Sequence, residues 1–123
     1  MDLAGVPVLV VEDDPGARDF ITVVLEYCGA CPHAAGSVAD ALAVCHEVAP
    51  AIVVSDLSMP GADGYDLLAT FRKDAKRANV PVIALTGHSH HRERALAAGF
   101  ADFLVKPVDP GELCERVRRQ LDT

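Results

Sequence analysis

Several side chains that could carry chemistry follow directly after short apolar runs of the sequence. They are the carboxyl groups of Glu12, Asp13 and Asp56, the hydroxyl of Thr86 and the ammonium of Lys106. If these runs are parallel strands, their carboxyl ends share one edge of a sheet, which is where ligands bind in open α/β folds. We therefore predict that three acids, a hydroxyl and an ammonium lie close together, although the sequence separates them widely.

Carboxylates grouped in this way need a counter-charge. Two of them at ~4 Å repel by roughly 4 kcal/mol at an effective dielectric constant near 20. A divalent cation with oxygen ligands removes this repulsion, and Mg²⁺ suits a site with few carboxylates and several retained waters. Mg²⁺ is also the usual partner of a transferring phosphoryl group, which an aspartate can accept as a nucleophile. Asp56, between the other acids and Lys106, is the predicted acceptor, and the Thr86 hydroxyl can bind a phosphoryl oxygen.

The elements that must position these side chains alternate regularly along the chain. Apolar runs predict five strands, at residues 6–11, 31–35, 51–55, 80–85 and 101–105. A helix is predicted after each strand, with N-caps at Asp14, Ser37 and Asp109 for the first, second and fifth. The second helix is predicted to reach about residue 48, and the fourth to span about residues 89–98 and stop at Gly99.

Apolar residues at helical spacing predict the faces of the helices. The predicted apolar positions are Phe20, Val23, Val24 and Tyr27 in the first helix, Ala41, Leu42 and Val44 in the second, Leu67, Leu68 and Phe71 in the third, and Leu113, Val117 and Leu121 in the fifth. Short connections between parallel strands require right-handed crossovers, with helices on both faces of the sheet. The predicted fold is a three-layer, doubly wound α/β sandwich, and the length of 123 residues predicts one domain over residues 1–123.

Composition excludes several classes of function. Eleven basic against 18 acidic residues give a net charge of −7, which argues against direct nucleic-acid binding. No apolar run approaches a membrane span, and the acidic start at Met1 and Asp2 is unlike a secretory signal. A cytoplasmic protein is therefore expected. Its four cysteines are predicted to be buried small hydrophobes rather than a disulfide framework.

Four motifs at strand ends carry a family resemblance: Glu12-Asp13-Asp14, Ser-Asp56-Leu-Ser58-Met-Pro60-Gly61-Ala-Asp-Gly64, Leu-Thr86-Gly87, and Phe103-Leu-Val-Lys106-Pro107. In this order and spacing, over essentially the whole chain, they resemble the receiver domain of two-component response regulators, in the CheY-like superfamily. The resemblance implies a flavodoxin-like sheet with strand order 2-1-3-4-5. It also implies that Asp56 takes a phosphoryl group from a histidine kinase or a histidine phosphotransfer protein.

The resemblance further implies the ligands of Mg²⁺. Asp13 and Asp56 would bind it through carboxylates, Ser58 through its backbone carbonyl, and Glu12 directly or through water. Ser58 and His88, each two residues past a site residue, would tune dephosphorylation by controlling the attacking water.

A conformational switch is implied by the same resemblance. Lys106, before a cis peptide bond to Pro107, would pair with the phosphoryl oxygens. Thr86 would turn toward the phosphoryl group, Phe103 would follow by changing rotamer, and Gly87 would leave room. The face formed by helix four, strand five and helix five would then bind an unidentified output protein or output domain, or a second phosphorylated copy.

Two other functions fit parts of the pattern. A haloacid-dehalogenase-like phosphatase also uses an aspartate nucleophile on a parallel sheet, but it needs a second acid where this chain has Ser58. A constitutive interaction module with a degenerate site is the other alternative, although every expected site residue is present here.

Cys28-Gly-Ala-Cys31 could be a redox dithiol or half of a zinc site. Cys28 falls at the predicted C-terminal end of a helix, where the helix dipole opposes a thiolate. Zinc would need two more ligands, for which His33 or Cys45 with His46 are candidates. A structural role is the expectation. The histidines at 88, 90 and 91 are expected to be solvated, and a pH-sensitive or partner-contacting surface is their alternative.

Overall fold

The structure is a computed structural model that describes residues 3–122. Five strands and five α-helices alternate in this part of the chain, and a short 3₁₀ turn at Ser89–His91 precedes the fourth helix. Their bounds are β1 Pro7–Val11, α1 Pro15–Tyr27, β2 Cys31–Ala35, α2 Val38–Val44, β3 Ile52–Asp56, α3 Gly64–Lys73, β4 Val82–Thr86, α4 Arg92–Ala98, β5 Asp102–Val105 and α5 Pro110–Leu121.

All five strands are parallel and lie in the order β2-β1-β3-β4-β5, which confirms the predicted topology. The register pairs Val11 of β1 with Ser55 of β3, and Asp56 with Leu85 of β4. The residues just past β1 and the last residue of β3 therefore lie at the same edge of the sheet. This register places the acids that the sequence separates at one end of the central strands.

The strands are buried on both faces, as their continuous apolar runs predicted. Val8 and Val10 of β1 pack on the side of α1 and α5, whereas Leu9 and Val11 pack on the side of α2 and α3. The predicted core positions Leu67, Leu68, Phe71, Leu113 and Val117 are all buried. Two hydrophobic cores, one on each face, therefore hold the sheet rigid behind its carboxyl edge.

The predicted apolar face of α1 was largely wrong. Phe20, Val23 and Tyr27 are 46%, 62% and 80% exposed, whereas Ile21 and Leu25 are buried with Val24. The segment carries two overlapping apolar stripes about one residue apart, and each has helical periodicity. Periodicity alone cannot choose between them, because the choice depends on where the sheet and α5 lie.

Several element ends also differ from the predictions. The helix α2 stops at Val44, rather than near residue 48, and continues only as turns. Pro50 disfavours helical backbone in the residue before it. The strand β4 starts at Val82 rather than Val80, because Pro81 has no N–H to donate to the neighbouring strand. The predicted N-caps Asp14, Ser37 and Asp109 are confirmed, since each side chain accepts a backbone N–H bond.

The prediction for the cysteines was wrong in two respects. Cys28, the C-cap of α1, forms a disulfide with Cys114 of α5, so neither is a free buried thiol. Cys31 is free but exposed on the edge strand β2, and only Cys45 is both free and buried. The bonded residues are 86 positions apart and meet because α1 and α5 pack on the same face of the sheet. The structure therefore contains neither a dithiol at Cys28 and Cys31 nor half of a zinc site.

Candidate functional site

The acids at the carboxyl edge form one compact group. Glu12 is completely buried, Asp56 is 7% exposed, and Asp13 is half-buried. One carboxylate oxygen from each residue lies within 4.8 Å of those from the other two. Oxygen ligands so close together, one of them half-open to solvent, fit a hard divalent cation that keeps some of its waters.

Lys106 supplies the positive charge that faces these acids. Its Nζ donates a hydrogen bond to Asp56 Oδ2 at 2.9 Å and another to the Glu12 carboxylate. Its backbone N–H donates to the carbonyl of Thr86 at 2.7 Å, which fixes the loop after β5 against the end of β4. The peptide bond between Lys106 and Pro107 is cis, as the family resemblance implied.

Burial sets the proton affinity of this group. Desolvation of the Glu12 carboxyl raises its pKa to about 7; the Lys106 hydrogen bond opposes this shift, and nearby Asp56 adds to it. Burial acts to lower the pKa of Lys106, but its hydrogen bonds to Glu12 and Asp56 outweigh this effect and raise that pKa. Lys106 therefore stays cationic at neutral pH, whereas the Glu12 carboxyl is near the midpoint of its titration. A second cation bound at the site would favour the ionised form of Glu12.

Asp56 is positioned by the backbone around it. The Ser58 N–H donates to Asp56 Oδ1 at 3.2 Å, and the Leu57 N–H bonds the carbonyl of Leu85 on β4. Gly64 begins α3 directly against this turn, and a Cβ built on it would lie 2.4 Å from the carbonyl oxygen of Asp56. Gly64 lies four residues after Pro60, at the end of the short connection between β3 and α3, and no separate role was predicted for it. Its absent side chain lets α3 approach the end of β3.

Thr86 is buried, and its hydroxyl faces the start of the fourth helical segment. His91 Nδ1 lies 3.1 Å from Thr86 Oγ1, and the backbone N–H of His88 donates to the same oxygen at 3.3 Å. His88 and His90 are exposed, as expected, but His91 is only half-exposed because of this contact. Desolvation lowers the pKa of His91, and the neighbouring His90, His88 and Arg94 add to this effect. His91 is a neighbour of the site that the sequence analysis did not identify.

The remaining predicted site residues take different positions. Phe103 is buried in the core on the α3 and α4 side of the sheet, and Ser58 and Gly87 are exposed. A Cβ on Gly87 would meet nothing within 4 Å, so this position is open as the small residue suggested. The structure thus brings Glu12, Asp13, Asp56 and Lys106 into one group. Thr86 lies beside that group, with its hydroxyl engaged by His91.

The free energy of unfolding should depend on pH because Glu12 titrates with different pKa values in the folded and unfolded chain. Its pKa rises from 4.5 to about 7 on folding, so the folded chain holds a proton that the unfolded chain releases in this range. Stability should therefore fall as pH rises from 4.5 to 7, by on the order of 3 kcal/mol at most. Mg²⁺ should restore more stability at pH 8 than at about pH 5, because only the ionised carboxylate binds it well.

Thermal unfolding with and without MgCl₂ at the two pH values measures this effect. The Glu12→Gln variant is the matched control, because it keeps the size of the side chain and cannot titrate. Equal Mg²⁺ stabilisation of the native chain at both pH values would contradict the assignment.

Comparison with known proteins identifies the family. The model of the response regulator receiver domain matches residues 8–118, and the chain belongs to this family of two-component signalling domains. An uncharacterised 14.6 kDa protein of Leptolyngbya boryana is 40% identical over 95% of this chain and 91% of its own length. The DNA-binding response regulator MtrA of Mycolicibacterium smegmatis is 34% identical over 98% of this chain, which spans only 53% of MtrA.

A solved structure shows the same fold. The receiver domain of the sensor histidine kinase PA1611 from Pseudomonas aeruginosa, described with a magnesium ion coordinated in its active-site cleft, is 29% identical. It superimposes with a TM-score of 0.88 over 98% of this chain and 100% of that one. Among residues 3–122, no helix is long and apolar enough to cross a membrane.

Proposed function

We propose that Asp56 accepts a phosphoryl group from a histidine kinase or a histidine phosphotransfer protein, in a reaction that requires Mg²⁺. The observation that carries this proposal is the ion-paired group at the sheet edge. The half-buried ammonium of Lys106, paired with Asp56 and Glu12, lies beside three carboxylate oxygens within 4.8 Å of one another. Such a site can hold one cation and the oxygens of one phosphoryl group together.

The carboxylates of Asp13 and Asp56, the backbone carbonyl of Ser58, and Glu12 directly or through water would hold Mg²⁺. Bound there, it would neutralise charge on the transferring group. The Asp56 carboxylate then forms a bond to phosphorus as the bond from phosphorus to the donor's histidine nitrogen breaks. Lys106, already on Asp56 Oδ2, is placed to bind a phosphoryl oxygen. The chain thus promotes its own phosphorylation and the slow hydrolysis of the resulting acyl phosphate. It does not turn over a separate substrate.

The switch would begin at Thr86. Thr86 Oγ1 lies 3.1 Å from His91 Nδ1, so turning the hydroxyl toward a phosphoryl oxygen requires this contact to change. Phe103 would follow into the space that Thr86 leaves, and Gly87 would leave room for the phosphoryl group. The face formed by α4, β5 and α5 would then bind an output protein or domain, or a second phosphorylated copy.

The remaining features of the proposal concern the whole molecule. Residues 1–123 form a single receiver domain that acts in the cytoplasm, where its kinase would meet it. The net charge of −7 supports an interaction with protein rather than direct contact with nucleic acid.

Acetyl phosphate tests this function without knowledge of the kinase. Incubated with Mg²⁺, the chain should gain the mass of one phosphoryl group, in an adduct that hydroxylamine removes and that maps to the peptide containing Asp56. No adduct, or an adduct that forms equally well in EDTA, would support a constitutive interaction module. Sustained hydrolysis of a phosphomonoester such as p-nitrophenyl phosphate would support a phosphatase instead.

Ser58 and His88 are proposed to set the lifetime of the phosphoryl group. Both are exposed, two residues past Asp56 and Thr86 respectively, where water must approach. Replacing either with leucine should slow the loss of the adduct, by up to roughly tenfold, because water reaches the acyl phosphate less easily. Decay of the labelled chain measured by mass tests this, with His90→Leu as the control. Unchanged decay in both variants would remove Ser58 and His88 from the mechanism.

A further inference from the structure

The disulfide between Cys28 and Cys114 joins two helices that the proposed phosphoryl chemistry does not use directly. Cys28 caps the C-terminal end of α1, and Cys114 lies in the second turn of α5. Their Cα atoms are 6.6 Å apart, across a contact between helices on the same face of the sheet. The bond therefore joins the second turn of α5, at a residue eight positions after Lys106, to the end of α1.

The bond is accessible to small molecules. It borders an open groove of about 490 Å³ between α1 and α5, whose walls include Val23, Tyr27 and Pro110. Cys28 is 8% exposed and Cys114 is half-buried, so Cys114 is the more exposed of the two bonded residues. Both residues line the groove, which gives a small thiol or disulfide a route to the bond.

The disulfide is not the only contact that holds α1 and α5 on the sheet. Both faces of the sheet carry extended cores of buried aliphatic and aromatic residues, and Leu25, Leu113 and Val117 already pack α1 and α5 on the sheet. The exposed thiol of Cys31 is also free, which suits surroundings that keep accessible thiols reduced. Under such conditions a reachable disulfide is in exchange with thiols rather than permanent.

We propose that Cys28 and Cys114 are a reversible redox modification site, oxidised by low-molecular-weight disulfides such as oxidised glutathione, which locks α5 against α1. The Cys114 thiolate attacks one sulfur of the small disulfide, which forms a mixed disulfide and releases one thiol. The Cys28 thiolate then attacks Cys114 Sγ and releases the second thiol. Two protein thiols are oxidised, one small disulfide is reduced to two thiols, and the protein's two protons pass to them.

The consequence for signalling rests on the proposed function, because α5 belongs to the face that would switch. With the bond formed, α5 cannot move away from α1 at its N-terminal end. The redox chemistry itself needs no phosphorylation. A chain that fails to label with acetyl phosphate can still pass every redox test below, so failure of one proposal is distinguishable from failure of the other.

The first test equilibrates the full chain in glutathione buffers of graded oxidised-to-reduced ratio, blocks free thiols with an alkylating agent, and maps the peptides by mass. The peptides of Cys28 and Cys114 should be joined at oxidising ratios and separately alkylated at reducing ones, with the same curve from either direction. Cys31→Ser should leave this curve unchanged, and Cys114→Ser should abolish it. A bond between Cys28 and Cys31, or a bond that reduced glutathione cannot open in the native chain, would overturn the proposal.

The second test measures how strongly the disulfide restrains α5 against α1. Oxidation should raise the midpoint of thermal unfolding by on the order of 10 °C, because the bond closes a long loop of the unfolded chain. It should also slow amide hydrogen exchange in the first turns of α5, while exchange in β4 stays the same. Both differences should vanish in Cys114→Ser, which has no bond to form. Equal exchange of α5 in the oxidised and reduced native chain would show that the bond restrains nothing.

Discussion

Replacing Asp56 with asparagine is expected to abolish labelling by acetyl phosphate, a loss of more than about a thousandfold, while the chain stays folded. The amide has almost the same shape and keeps an oxygen that can accept the hydrogen bond from the Ser58 N–H. It lacks the carboxylate that must bond to phosphorus, and it removes one of the three carboxylates of the cation site. The same substitution should therefore also reduce the stabilisation that Mg²⁺ gives the chain.

A matched control separates the role of Asp56 from that of negative charge in general. Asp19 is exposed on α1, so Asp19→Asn changes net charge equally without touching the site. The control should label at the native rate. If Asp56→Asn still gained a hydroxylamine-sensitive adduct, on Asp13 for example, then Asp56 would not be the acceptor.

The grouping of acids with Lys106 at the sheet edge could be predicted from the sequence because local rules determine it. Continuous apolar runs predict buried parallel strands, and in such a sheet the side chain after each strand lies at a known edge. That rule places Glu12, Asp56 and Lys106 together from the sequence alone, and their hydrogen bonds confirm the grouping. Their separation along the chain did not matter, because each position depends only on where its own strand ends.

Features that depend on packing between helices were not predictable in this way. The contact of Cys28 with Cys114 requires knowing which faces of α1 and α5 meet, and the two apolar stripes of α1 left that choice open. The contact between Thr86 and His91 likewise depends on the short 3₁₀ turn before α4, which has no distinctive sequence signal. In both cases the missing information concerns the relative placement of elements rather than their existence.

Gly64→Ala should cause the largest loss of stability among single-methyl changes near the site. The added Cβ would lie 2.4 Å from the carbonyl oxygen of Asp56 and 3.1 Å from Cα of Leu57. Both are backbone atoms at the end of a central strand, so no side chain can move aside to make room. Either α3 must shift away from the sheet or the Asp56 turn must deform, at a cost of roughly 2–3 kcal/mol after the better helix propensity of alanine is counted.

Gly111→Ala is the appropriate control for this substitution. Gly111 also lies in the first turn of a helix, but a Cβ there meets only the side-chain oxygen of Asp109, at an ordinary 3.4 Å. That variant should be neutral or slightly stabilising, whereas Gly64→Ala should lower the thermal midpoint by about 10 °C. Labelling of the folded Gly64→Ala chain should also slow, because the deformed turn carries the acceptor carboxylate. Equal thermal midpoints for the two variants would mean that α3 can shift away from the sheet at little cost. The close approach of α3 would then not fix the position of Asp56.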